Sequence, residues 1–162
     1  DSVRAHGFRN IVLFNSHGGN LAVGQVILER WGSKNPDASI FFFTWWLVAR
    51  KELQTIQESG FGGVGHACEF ETSLLMHFAP NLVRGETFDY APPTSRFAWA
   101  DADMLNAPCG SLYRSMKEIS GGSGVAGSPQ YASSEKGARI SKLVSAKLTT
   151  MLKDIRLSSE SR

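Results

Sequence analysis

The sequence predicts an α/β domain built on a mostly parallel sheet, and three observations carry that prediction. Ile11-Val-Leu-Phe14 is a short continuous apolar run, the pattern of a strand buried on both faces. Leu21, Val23, Val26, Ile27, Arg30 and Trp31 then recur at helical spacing, and a second apolar run extends from Ser39 to Trp46. Turn clusters separate the three, Asn15-Ser-His-Gly-Gly-Asn20 and Asn35-Pro-Asp37. Strand, turn, helix, turn, strand is a βαβ unit, which implies parallel pairing.

The remaining elements follow along the chain. Residues 1–7 read as the tail of a helix closed by Gly7. Leu47 to Gln57 reads as a helix, and the glycine-rich Gly60-Phe-Gly-Gly-Val-Gly65 as a loop of special conformation. A helix is expected from about Ala67 to Phe78, closed by Pro80. Residues 81–134, rich in Pro, Gly, Ser and Asp, read as irregular, with a short strand near Leu82-Val83. A long helix then starts at Ser134, with Ile140, Leu143, Val144, Leu148, Met151, Leu152 and Ile155 forming one apolar stripe.

Composition narrows the function classes. At 162 residues the chain is one domain, long enough to bury a core without staples. Seventeen basic against fifteen acidic side chains leave a surplus too small to imply a nucleic-acid partner. The late basic residues Lys136, Arg139, Lys142, Lys147 and Lys153 read as a solvated helix face. Cys68 and Cys109 form neither a disulfide framework nor a zinc ribbon, which fits a reducing, cytoplasmic setting. The longest apolar run is far too short to span a bilayer, so no membrane association is expected.

Chemistry in open α/β sheets gathers outside the carboxyl ends of the strands. That rule selects the loop Asn15 to Asn20. Gly18 and Gly19 let a ligand approach the backbone, and the helix that follows offers free N–H groups, as an anion cradle would. His17 there suits a metal ligand or an acid–base group, or else a loop histidine bonded to its own turn. A second cluster is Gly65-His-Ala-Cys-Glu-Phe-Glu-Thr-Ser73. Glu69 and Glu71 lie about 200° apart on a helix, so at most one of them can face a site with His66, and spacing does not choose. Leu74, Leu75 and Phe78 place apolar faces around Glu71, where a buried carboxylate would need a partner such as a metal. Trp45 and Trp46 end the second strand, one placed to line a pocket and the other to fill the core. Cys68 reads as buried filler, His77 as a helix-boundary histidine, His6 as idle, and Asp101 and Asp103 as solvated.

Taken together, Asn15-Ser-His-Gly-Gly-Asn20 and His66-Ala-Cys-Glu-Phe-Glu-Thr-Ser73 resemble the creatininase (creatinine amidohydrolase) family. The segment Ser123 to Gly137 with its long helix is similar to that family's C-terminal part, and Gly7 to Phe14 to the strand entering its loop. The resemblance implies a three-layer α/β sandwich and a site of two divalent ions (Zn, Mn or Fe). That site activates water against a C–N bond of a cyclic amide or related small substrate. Carried over, His17 and Glu71 would be metal ligands, and His66 the catalytic histidine passing a proton to the leaving nitrogen. Trp45, Trp46, Gly18 and Gly19 would contact substrate. Family members are expected to form homo-oligomers.

Two departures qualify the resemblance. Gly19 stands where creatininase itself has a glutamate ligand, which leaves peptide-trimming and formamide-type branches as open as creatinine. The family's Glu-x-His signature followed by an aspartate is absent from these residues. Two ligands cannot hold two metals, since a catalytic zinc takes about three protein ligands plus water. The expectation is therefore a partial domain, the C-terminal portion of a longer enzyme. It would lack further ligands and at least one sheet strand, and be inactive alone.

Overall fold

In the computed structural model, which describes residues 1–84 and 95–160, the chain divides into two compact units. One comprises residues 1–48 and the chain from residue 146; the other is residues 49–145.

The first unit contains the predicted βαβ motif. After helix α1 (Ser2–Ala5), Gly7 takes φ +92° and turns the chain into strand β1 (Asn10–Asn15). Helix α2 (Leu21–Gly32) leads to strand β2 (Ser39–Thr44), which pairs with β1 in parallel from Asn10↔Ser39 to Asn15↔Thr44. The expectation that β1 is buried on both faces is not met within this chain. Its apolar residues are half-buried and Phe14 is exposed, because these two strands are the whole sheet among the described residues. β2 also stops earlier than expected. Asn15, the last residue of β1, pairs with Thr44, so the backbone beyond has no partner; Trp45 and Trp46 instead open a short helix, α3 (Trp45–Val48).

A glycine lies on the face of α2 that packs on β2. A Cβ on Gly24 would come within 2.3 Å of the Phe42 ring, so a larger residue there would have to displace that ring. Val23, Val26 and Ile27, among the apolar residues at helical spacing, are exposed. Arg4 forks onto both oxygens of Asp37 at 2.8 and 3.0 Å, and this pairing holds the Asp37 carboxyl below its ordinary pKa.

In the second unit, helix α4 (Arg50–Ile56) buries Leu53 and Ile56, three residues apart on one face. Helix α5 (Glu69–Phe78) buries Glu69, Phe70 and Ser73. The segment expected to be irregular lies partly outside the described residues. Where described, Pro80–Leu82 is a 3₁₀ turn rather than a strand, and Met116–Ser120 is a helix, α6, that the composition concealed. Ser115 and Glu118 close a reciprocal capping box on α6, with Gly121 at φ +59° behind it. The Ser115 hydrogen bonds lower the Glu118 pKa. Helix α7 (Ser134–Glu160) contributes to both units; Ile140 and Val144 are buried, while Leu152 of the predicted stripe is exposed. Among the described residues no helix is long and apolar enough to cross a membrane.

Candidate functional site

His17 lies at the carboxyl end of β1, in a loop organised by a buried asparagine. Asn15 donates through Nδ2 to Thr44 Oγ1 at 3.2 Å, tying together the ends of both strands. Its Oδ1 accepts the His17 N–H at 3.1 Å and Asn20 Nδ2 at 3.2 Å. His17 then caps the 3₁₀ turn Gly18–Asn20, its Nδ1 accepting the Gly19 N–H at 3.0 Å. The reading of His17 as a loop histidine bonded to its own turn is what the structure shows, and the residue is exposed at the strand ends.

This geometry has chemical consequences. A ring whose Nδ1 accepts a hydrogen bond carries its proton on Nε2 when neutral, so Nε2 is a donor in this pose and has no lone pair to offer a cation. The N–H groups of His17, Gly19 and Asn20 all donate within the loop. Parallel free donors, which an anion cradle requires, are not what this loop presents. A cavity beside β2, lined by Leu21, Gln25, Phe42, Thr44, Leu47 and Met151, is mainly apolar. Neither Trp45 nor Trp46 lines it; both indoles are buried and meet edge to face at 5.6 Å.

The second cluster is built around the entry to α5. His66 forms an isolated antiparallel bridge with Ala126, its N–H donating to the Ala126 carbonyl at 2.7 Å and its carbonyl accepting at 2.8 Å. Gly65 makes this possible, since a Cβ there would meet the Ala126 oxygen at 2.3 Å. Ala67 takes φ +49°, the single positive-φ residue other than glycine among the described residues. Such a backbone costs about 1–2 kcal/mol and is retained where surrounding contacts impose it. Here the contact is visible: the Ala67 N–H donates to Glu71 Oε2 at 2.6 Å, and the same oxygen lies 3.8 Å from His66 Nδ1. The His66 side chain is 48% exposed and that of Glu71 32%.

Burial sets the two glutamates apart. Glu71 faces His66 and solvent and is not enclosed by Leu75 and Phe78, which are themselves exposed. Glu69 is the buried carboxylate, and its partner is a cation of the chain itself. It receives Lys136 Nζ at 2.5 Å, with the N–H groups of Glu58 and Ser59 at 3.0 Å each. Lys136 is therefore not on the solvated face expected of it, unlike Arg139, Lys142, Lys147 and Lys153, which are exposed. Its position was readable: Lys136 precedes Ile140 by four residues and Val144 by eight, on the apolar stripe.

Asp103 also differs from expectation. It is a hub accepting from the N–H groups of Gly62, Leu105 and Asn106 and from Asn106 Nδ2, all within 2.8–2.9 Å, and so pins the glycine-rich loop. Asp101 accepts the Ser95 N–H at 2.7 Å. Cys68 is buried filler as expected, and burial pushes its thiol up to about 11. His77 is exposed against Phe78, and His6 lies exposed near the chain start.

Among the described residues, no three His, Cys, Asp or Glu side chains gather as a group able to hold a metal ion. His17 and Glu71 have the right donor chemistry, but the donors among the described residues do not amount to a divalent-metal site.

A model of the creatininase family, described as creatinine amidohydrolase, matches residues 1–152. Among solved structures, a provisionally assigned creatinine amidohydrolase from Bacteroides fragilis is similar at 26% identity and a TM-score of 0.73, over 93% of this chain and 55% of that one. A creatininase in a Mn form is similar at 22% identity and a TM-score of 0.66, over 94% and 59%. A creatininase point mutant of Zn–Zn type is similar at 22% and 0.65, over 94% and 58%. The last two likenesses are likenesses of fold. The chain thus spans between 55% and 59% of the length of these solved relatives. No curated protein matches the sequence.

Proposed function

The chain belongs to the creatininase family, and from that premise we propose that it is part of a hydrolase cleaving a C–N bond of a cyclic amide or related small substrate. The observation that supports this reading best is the His66–Glu71 arrangement. A half-exposed imidazole is fixed by a backbone bridge, and a carboxylate is held 3.8 Å away by a strained Ala67. A carboxylate at that distance can orient the imidazole, which places the half-exposed His66 ring to pass a proton to a departing amide nitrogen.

The other assignments follow the family. Two divalent ions, Zn, Mn or Fe, would supply the activated water; Zn–Zn and Mn forms are known for the solved creatininases. His17 and Glu71 would be this chain's ligands, with the remaining donors coming from sequence beyond these residues. Oε2 of Glu71 is engaged by Ala67 and faces His66, which leaves Oε1 for a cation. His17 would release the Gly19 N–H to free a ring lone pair. Among the described residues, the donors present do not make up a two-metal site. Gly18 and Gly19 remain proposed substrate contacts; Trp45 and Trp46 would reach substrate only by turning out of their buried edge-to-face pair. A cytoplasmic, homo-oligomeric enzyme is the assembly this reading implies.

The test uses the complete protein containing these residues, assayed against cyclic amides, formamides and small peptides. His66→Ala is expected to lower kcat by about 10²–10⁴-fold with KM little changed. His17→Ala and Glu71→Ala should each lower bound metal. Full metal content in both variants would refute the ligand assignment, and undiminished turnover in His66→Ala would refute the proton-transfer role.

A further inference from the structure

Glu69 and Lys136 form a buried ion pair that the proposed chemistry leaves unused. Glu69 is 0% and Lys136 5% exposed. Removing two charges from water is expensive, and such a pair survives only when further hydrogen bonds use the remaining lone pairs and protons. That condition is met. Lys136 Nζ donates to Glu69 Oε1 and, at 2.6 Å, to the Tyr131 carbonyl, and lies 3.3 Å from the exposed Glu58 carboxylate. Glu69 Oε1 also accepts the Glu58 N–H, and Oε2 accepts the Ser59 N–H. One carboxylate thus ties the start of α5 to the loop at 58–59 and the start of α7.

We propose that the Glu69–Lys136 pair is a positioning device: it fixes the rotational setting of α5 and so holds Glu71 against His66. Residues two apart on a helix point about 200° apart, so the side that carries Glu69 inward carries Glu71 outward, toward His66. His66 is anchored separately, through its two hydrogen bonds to Ala126. The separation between His66 and Glu71 therefore depends on how α5 is turned about its axis, as well as on the Ala67 N–H that Glu71 Oε2 accepts. Apolar contacts of Phe70 are non-directional and tolerate small rotations. A carboxylate receiving three donors in fixed directions does not. Ser73, one turn further along α5, adds a neighbouring strap by accepting the Ser133 N–H through Oγ at 3.1 Å.

This inference rests on the roles proposed for His66 and Glu71, and its test separates the two. In the complete enzyme, Glu69→Gln and the double variant Glu69→Gln/Lys136→Met are compared with Lys142→Met, an exposed control on α7. The double variant leaves no lone buried charge and serves if the single one fails to fold. Crystal structures of the variants are expected to show His66 Nδ1 and Glu71 Oε2 moved apart beyond the ion-pair limit of about 4 Å. Turnover is expected to fall about ten- to a hundredfold with KM within about twofold, as for a misplaced catalytic group. The control should match the parent in both readouts. A folded variant that keeps the 3.8 Å separation overturns the positioning role, whatever its activity. A widened separation with unchanged kcat upholds positioning and overturns the catalytic reading of His66 and Glu71.

Discussion

Gly137→Ala sets two well-known effects against each other and so tests the packing described above. Gly137 is the fourth residue of α7, where alanine's higher helix propensity would add up to about 1 kcal/mol of stability. A methyl at that position, however, would sit 2.0 Å from the Ser73 carbonyl oxygen, 2.6 Å from its carbon and 2.9 Å from His77 Cβ. An ordinary C···O contact is about 3.3–3.6 Å, so the overlap exceeds about 1 Å. The obstructing atoms are mainly backbone of α5 and have no rotamer to swing away, so the two helices must separate. Overpacking of this kind costs about 1–3 kcal/mol, and the size of the overlap places it at the upper end. Separation also stretches the Ser133–Ser73 hydrogen bond and the Lys136–Glu69 pair. About 3 lost and 1 gained leaves a net loss of about 2 kcal/mol, or roughly 4–8 °C in Tm for a chain of this size. Thermal and urea unfolding followed by circular dichroism measure it. Gly32→Ala, at the end of α2 with nothing within 4 Å of the added methyl, is the control and should hold or slightly gain stability. A Gly137→Ala protein as stable as the parent would refute the close approach of α5 and α7.

Other outcomes follow from the same geometry. Gly65→Ala should open the His66–Ala126 bridge, because its Cβ would lie 2.3 Å from a backbone oxygen; amide exchange at His66 and Ala126 is expected to accelerate, with about 2 kcal/mol of stability lost. Ala67→Gly should relieve about 1–2 kcal/mol of left-handed strain against about 0.5–1 of added chain entropy, a net gain in unfolding free energy of about 0.5–1 kcal/mol. At pH 8, iodoacetamide should label the exposed Cys109 in the native protein and leave Cys68 untouched until unfolding. Cys68 also sets an alkaline limit. Its folded pKa is raised to about 11 from 9.0, so above pH 9 the unfolded chain releases the proton first and stability falls up to about pH 11. Cys68→Ala should flatten that part of the pH–stability curve, and an unchanged slope would count against the raised pKa.

Much of this arrangement was legible along the chain. The βαβ order, the loop with His17, the helix behind His66 and the long terminal helix all rest on local patterns, which the backbone expresses wherever hydrogen bonding within a few residues suffices. Helix α6 was legible too, in the Ser115-x-x-Glu118 box, but the Pro- and Gly-rich context masked it. Asp103 gave no comparable sign: its Gly62 donor lies 41 residues away, and nothing in spacing joins the two. Periodicity marks the apolar positions of α2 without saying which of them the sheet covers: Val23, Val26 and Ile27 are exposed, while Gly24 lies against the Phe42 ring.

By itself the sequence determined the α/β class, the order of the elements and, through its ordered motifs, the family. What only the tertiary structure decided was the part each charged residue plays. Glu69 and Glu71 are indistinguishable in composition and both lie in the first turns of a helix. They part because Lys136, 67 residues further on, arrives on one side of α5 and His66 on the other. Burial and ion pairing join groups that are near in space and remote in the chain, so they leave no period to read.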